Sequence, residues 1–151
     1  MKLRLGEIRE KYDLSQRKTA NKLKISKSYY NYFETGERII PLVRLNDFSN
    51  LFNVDFDYAL GLSKHNIVTK KLKKLDKKLI GIRIKEIRKK KKLTQHALAE
   101  LLHTSQSTIS SYEHGKTIIL TAFLYEMCSK LDVSANYIVG KTNTIKIIVE
   151  S

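Results

Sequence analysis

The sequence predicts an all-α protein made of two tandem five-helix domains. Three observations carry that expectation. The chain aligns with itself at an offset of 79, so residues 3–64 lie over 82–143 without a gap and about nineteen of roughly sixty positions are identical. Each copy places apolar residues at helical spacing behind Ser or Thr residues that stand where N-caps belong. Among the 151 residues there is one proline, and Gly36, Gly61, Gly115 and Gly140 fall where helices should stop. A repeat of this length exceeds a solenoid unit, so each copy reads as one complete small domain. The expected boundaries are 1–64 and 80–143, with a linker at 65–79 and a tail at 144–151.

Leu3, Leu5, Ile8 and Tyr12 open the first copy as an amphipathic helix, matched by Ile82, Ile84 and Ile87 in the second. Asp13-Leu14 and Lys92-Leu93 interrupt it. Ser15 and Thr94 then cap a short second helix through Ala20-Leu23 and Ala99-Leu102. After a tight turn, Ser26 and Ser105 cap a third helix that ends near Gly36 and Gly115. A longer fourth helix carries Leu42, Leu45, Phe48 and Leu51, or Leu120, Leu124, Met127 and Leu131. The fifth starts at Asp55 or Ser134 and stops at Gly61 or Gly140. In the linker, Val68, Leu72, Leu75 and Leu79 at spacings of four, three and four predict a basic amphipathic helix that runs toward the second copy, with Gly81 weakening continuity. The tail Ile145-Lys146-Ile147-Ile148-Val149 is apolar and β-branched, which predicts an extended segment, a strand if another chain's tail supplies a partner.

Net charge is +14 with a pI near 9.8, which points to a polyanionic partner, either nucleic acid or an anionic membrane surface. The excess is distributed: +4 over residues 1–64 (12 basic, 8 acidic), +5 over 65–79 (6 and 1) and +5 over 80–151 (11 and 6). The single Cys128 cannot form an internal disulfide and suits a reducing cytoplasm. The charged N-terminus does not read as a signal peptide, and no apolar run is long enough to span a membrane. His65, His96, His103 and His114 lack metal-ligand spacing. No phosphate-cradling glycine loop, paired carboxylates or nucleophile–base arrangement is present, so the reading is a binding protein rather than an enzyme, with no cofactor, metal or small-molecule ligand.

Two short helices joined by a tight turn, the second lined with small polar residues, make a helix-turn-helix. Ala20 and Ala99 let the helices cross closely, and Tyr30 and Ile109 anchor the second helix to the core. Outward positions must be short or hydrogen-bonding to enter a groove about 12 Å wide.

The stretch Leu93-Thr94-Gln95-His96-Ala97-Leu98-Ala99, followed by Ser105-Gln106-Ser107-Thr108-Ile109-Ser110-Ser111-Tyr112-Glu113-His114-Gly115, resembles the Cro/phage-repressor-type (XRE) helix-turn-helix family. Leu14–Ala20 and Ser26–Gly36 resemble it at the same positions. The resemblance implies two lambda-repressor-like domains and a bacterial or phage regulator, more readily a repressor, bound to double-stranded DNA. It implies that Lys27, Ser28 and Tyr32, with Gln106, Ser107 and Ser111, reach base edges. It assigns Gln16, Arg17 and Gln95 to phosphates at the second helix, where the N-terminus favours an anion; Lys90, Lys91 and Lys92 lie beside them. Arg9–Glu34 and Arg88–Glu113 match the family's internal ion pair.

Two departures stand out. Lys24 and His103 occupy a turn position where the family places glycine. The first recognition helix holds Tyr29, Tyr30, Tyr32 and Phe33, aromatics that could equally form a packing surface. The alternative function is therefore an antitoxin-like or phage-encoded interaction module whose Tyr-rich first copy binds a protein, or mediates homodimerisation, as the tail could.

Overall fold

The computed structural model describes residues 1–148, and among them ten helices and no strand are found. In the first copy α1 spans Leu5–Lys11, α2 Gln16–Lys22, α3 Lys27–Thr35, α4 Leu42–Phe52 and α5 Phe56–Ala59. The second copy repeats the order as α6 (Lys77–Lys90), α7 (Gln95–Leu101), α8 (Gln106–Glu113), α9 (Thr121–Leu131) and α10 (Ala135–Val139). The expected caps form: the side chains of Ser15, Ser26, Asp55, Thr94, Ser105 and Ser134 each accept a backbone N–H three residues on. Each cap satisfies a donor that has no intrahelical partner.

The apolar interiors of the two copies join in one buried cluster. Leu5, Ile8, Ala20, Tyr30, Leu45, Phe48 and Phe56 are fully enclosed in the first, and Ile84, Ile87, Ala99, Ile109, Leu124 and Met127 in the second. Cys128 lies inside the second copy, where burial pushes its thiol well above the ordinary range.

The linker departs from expectation. Residues 66–74 are extended or bent rather than helical, and a helix begins only at Lys77, capped by Asp76. Ile67-Val68-Thr69 is β-branched and the lysines at 70, 71, 73 and 74 repel at helical spacing, so a free helix is poorly supported. Side chains of the first copy satisfy the extended backbone instead. Asp55 Oδ2 accepts the Ile67 N–H at 2.7 Å, and the Asn46 and Asn50 amides donate to the Leu72 carbonyl at 2.9 and 2.7 Å. Of the predicted stripe, Leu75 is buried while Val68 faces solvent.

Continuity through Gly81 has a packing reason. A Cβ there would lie 2.3 Å from the Tyr112 carbonyl oxygen and 2.9 Å from that of Glu113, so α6 crosses the end of α8 backbone to backbone. The described part of the tail, 144–148, is non-helical, in keeping with the expected extended segment. It forms no ladder; the Ser134 N–H donates to the Ile145 carbonyl at 2.7 Å and Ile145 packs on its own domain. Val149 lies outside the described residues.

The copies dock through α5 and α10, which surround a buried polar cluster. Asp57 Oδ1 accepts the Ala135 N–H at 2.6 Å, and its Oδ2 accepts from Ser134 Oγ (2.6 Å) and Asn136 Nδ2 (3.0 Å). Asn136 Oδ1 accepts the Phe56 N–H at 2.7 Å, while its Nδ2 also donates to Asp55 Oδ1 at 3.0 Å. Thr121 Oγ1 donates to the Ile40 carbonyl at 2.6 Å. Lys141, also buried, donates to the Lys70 carbonyl at 3.2 Å with its ammonium 5.6 Å from the Phe56 ring centre. Burial lowers its pKa to about 8.

Candidate nucleic-acid interface

The turn between α2 and α3 contains Lys24 at φ 59°, and that between α7 and α8 contains His103 at φ 57°. The left-handed geometry that glycine would favour is thus adopted by residues with a Cβ, at a cost of about 1–2 kcal/mol each. Ala20 and Ala99 are enclosed at the crossings, as are Tyr30 and Ile109 beneath the third helices. These contacts leave the opposite faces of α3 and α8 outward.

An ion pair fixes each recognition helix. Arg88 Nε and Nη2 donate to Glu113 Oε2 and Oε1 at 2.6 and 3.0 Å, and Nη1 donates to the Leu93 carbonyl at 2.9 Å. Arg9 repeats the fork on Glu34 at 2.7 and 3.1 Å and bonds the Leu14 carbonyl at 2.8 Å. Bidentate charge-assisted bonds of this kind fix orientation as well as distance. Burial alone would raise the Glu34 carboxyl, but bonds from Arg9 and Gln16 outweigh it and hold the group below its ordinary value. Each arginine also ties the interruption after the first helix to the end of the recognition helix.

Around this scaffold the candidate contact residues separate into two settings. Lys27 and Ser28 on α3, and Gln106 and Ser107 on α8, are exposed in the first turn, as are Arg17, Lys90, Lys91 and Lys92. Gln16, Gln95, Tyr32 and Ser111 are half-buried and already partnered. Gln16 Nε2 donates to Asn31 Oδ1 and Glu34 Oε1, both at 3.0 Å. Gln95 Nε2 donates to Glu113 Oε1 at 3.1 Å, and its Oε1 accepts from Gln106 Nε2 at 3.4 Å. Ser111 Oγ lies 2.9 Å from Thr117 Oγ1. The Arg38 guanidinium lies 4.8 Å from the Tyr32 ring centre.

The aromatics of α3 point mostly inward. Tyr30 and Phe33 are buried, and Tyr29 packs edge-on against Phe33 at 4.6 Å. Sequence reasoning passed over Asn31, Arg38 and Thr117, which hold Gln16, Tyr32 and Ser111 in place. Their only signal is position: Asn31 lies one turn before Thr35 on the Gln16-facing side, and Arg38 and Thr117 share one repeat position just past Gly36 and Gly115. Among the described residues no helix is long and apolar enough to cross a membrane.

A helix-turn-helix (HTH_3) family model matches residues 5–58 and again 84–138. The chain belongs to this XRE-type helix-turn-helix family. Both matched segments run from the first helix into the fifth, so each helix-turn-helix domain is matched nearly whole. One similar protein is the antitoxin PezA of Streptococcus pneumoniae serotype 4, 36% identical over 63 residues, which are 42% of this chain and 40% of that protein. Another is the uncharacterised HTH-type transcriptional regulator YobD of Bacillus subtilis (strain 168), 35% identical over 60 residues, 40% of this chain and 54% of YobD. The chain thus spans about half or less of these curated relatives. Among solved structures, the P22 c2 repressor in complex with a synthetic operator is 31% identical with a TM-score of 0.40, over 42% of this chain and 97% of that one. The clp gene regulator ClgR of Corynebacterium glutamicum is 23% identical with a TM-score of 0.41, over 46% and 74%.

Proposed function

We propose that the protein is a sequence-specific double-stranded DNA-binding transcriptional regulator, acting as a repressor, with one recognition helix in each copy. The observation that carries this reading is the exposure of Lys27-Ser28 and Gln106-Ser107 at the heads of two helices whose opposite faces are anchored by Tyr30 and Ile109. Short polar side chains on a rigidly held helix suit the major groove. Lys27 would donate to guanine, Gln106 would pair bidentately with adenine, and Ser28 and Ser107 would bond either base. Arg17 and Lys90–Lys92 would neutralise phosphates and supply affinity that does not depend on sequence. Packing of Tyr29, Tyr30 and Phe33 into the first copy removes most of the aromatic surface that a protein-binding α3 would need. The chain's charge of +14 suits the same partner.

A salt titration on random duplex tests the phosphate contacts. With six to ten of them, affinity falls about 10³–10⁵-fold between 50 and 200 mM salt; a flat response would sink the proposal. Base reading is tested separately by Gln106→Ala, which should relax preference at one base pair by about 1–3 kcal/mol while binding to random duplex stays the same.

A further inference from the structure

The contacts between the copies follow a rule that the linear repeat conceals. With the offset of 79, Phe56 corresponds to Ala135, Asp57 to Asn136 and Asp55 to Ser134. The Phe56 N–H donates to Asn136 Oδ1 at 2.7 Å, and in return the Ala135 N–H donates to Asp57 Oδ1 at 2.6 Å. Asn136 Nδ2 donates to Asp55 Oδ1 at 3.0 Å, and in return Ser134 Oγ donates to Asp57 Oδ2 at 2.6 Å. Position p of one copy touches position q of the other while q touches p, twice over. That reciprocity belongs to a two-fold relation; a head-to-tail arrangement would pair p with q and leave the return contact unmade. The axis passes between Asp57 and Asn136, equivalent positions in direct contact at 3.0 Å.

The same axis relates the two reading helices. The stretch following α3 meets the first residue of α9 at this seam, through Thr121 Oγ1 on the Ile40 carbonyl at 2.6 Å. Because α3 and α8 hold the same place in their own copies, a two-fold relation between the copies inverts one helix with respect to the other. The linker is pinned to the first copy by Asp55, Asn46 and Asn50, which leaves the second copy little freedom to dock another way.

We propose that one chain binds as an internal pseudo-dimer to one complete operator whose two unlike half-sites are inverted rather than repeated in the same direction. The proposal rests on the DNA-reading function above. Duplex DNA carries its own two-fold axes, and a two-fold protein reads half-sites related by them, about 34 Å apart. The half-sites differ in sequence because Lys27 faces one and Gln106 the other.

The test uses the full chain. Sites are first selected from a random duplex library. The best site is then compared with a version in which one half-site is reversed in place at constant spacing, and with a single half-site. The expected result is an inverted arrangement, a loss of at least about 10²-fold on reversal, down to the single-half-site affinity, and one chain per duplex by native mass spectrometry. Equal binding to both orientations, recovery of direct repeats, or two chains per site would overturn the proposal while leaving DNA reading intact. No selected site together with no salt-sensitive duplex binding would overturn both.

Discussion

Asp57 and Asn136 occupy the same place in the two copies and touch each other, Asn136 Nδ2 donating to Asp57 Oδ2 at 3.0 Å. Both side chains are almost wholly buried. One supplies acceptors only and the other supplies a donor and an acceptor, so this pairing is satisfied in a way that two aspartates would not be. Loss of the donor should therefore cost stability at the seam. Asn136→Ala leaves the Asp57 and Asp55 carboxylates short of a partner in a buried site, a change worth about 1–3 kcal/mol or more for charged groups. The urea midpoint should fall, and the single transition should broaden as the copies uncouple.

The same carboxylate makes stability depend on pH. Burial, assisted by Asp55, pushes the Asp57 carboxyl from 3.8 up to about 6, against hydrogen bonds from Ser134 and Ala135 that pull it down. The folded protein holds this proton more tightly than the unfolded chain. Stability from this group is thus complete below about pH 4, is lost as pH rises to about 6, and is level beyond, a change of roughly 3 kcal/mol. Glu34, held below its ordinary value, acts in the opposite sense at lower pH. Urea midpoints between pH 5 and 7 should decline for the wild type and stay level for Asp57→Asn; parallel slopes would refute the assignment.

The two ion pairs should differ in strength. The Glu113 side chain is 1% exposed and the Glu34 side chain 10%. Arg88→Ala strands the more deeply buried charge and should cost about 3–5 kcal/mol. Arg9→Ala should cost less, because Glu34 keeps more contact with solvent, while Gln16 and Gln95 go on donating to Glu34 and Glu113 alike. Chemical unfolding of both variants measures the order, and Glu113→Gln in the Arg88→Ala background should recover part of the loss.

Lys24→Gly and His103→Gly should each stabilise the fold by up to about 1 kcal/mol, because glycine adopts the left-handed conformation without a Cβ clash. For a protein of this size that is a rise of about 2–4 °C in Tm per kcal/mol. Neither change touches the exposed first turns of α3 and α8, so duplex affinity should be unchanged.

Gly81→Ala should do the reverse, although alanine is the better helix former by about 1 kcal/mol. The new Cβ meets the Tyr112 and Glu113 carbonyl oxygens, backbone atoms that cannot rotate aside. A net loss of about 1–3 kcal/mol is expected. Gly6→Ala is the milder comparison, since its Cβ would approach only the Glu34 side chain, at 3.0 Å, although the Arg9 fork limits how far that side chain can yield.

What the sequence made legible was what short-range chemistry repeats. Caps at Ser15, Ser26, Thr94 and Ser105, apolar spacing within helices and the Arg9–Glu34 and Arg88–Glu113 offsets all sit within one domain, and two copies state each of them twice. The linker misled because Val68, Leu72, Leu75 and Leu79 fit a helical template, whereas the Leu72 carbonyl was claimed by amides on α4. The seam left no trace because Asp55 and Ser134 already have a local role as caps. Their second partners lie about eighty residues away, and no periodicity records such a contact. In the candidate interface, the helix heads followed from capping and the copy-specific neighbours Asn31 and Arg38 did not.

Fusing the copies into one polypeptide has an evolutionary consequence. In an assembly of identical subunits every substitution appears on both sides of the axis, so an aspartate facing its own counterpart would meet only another acceptor. Here each side of the axis is encoded separately. Asp57 can therefore be acidic while Asn136 supplies a donor, and α3 and α8 can carry different residues at their exposed first turns.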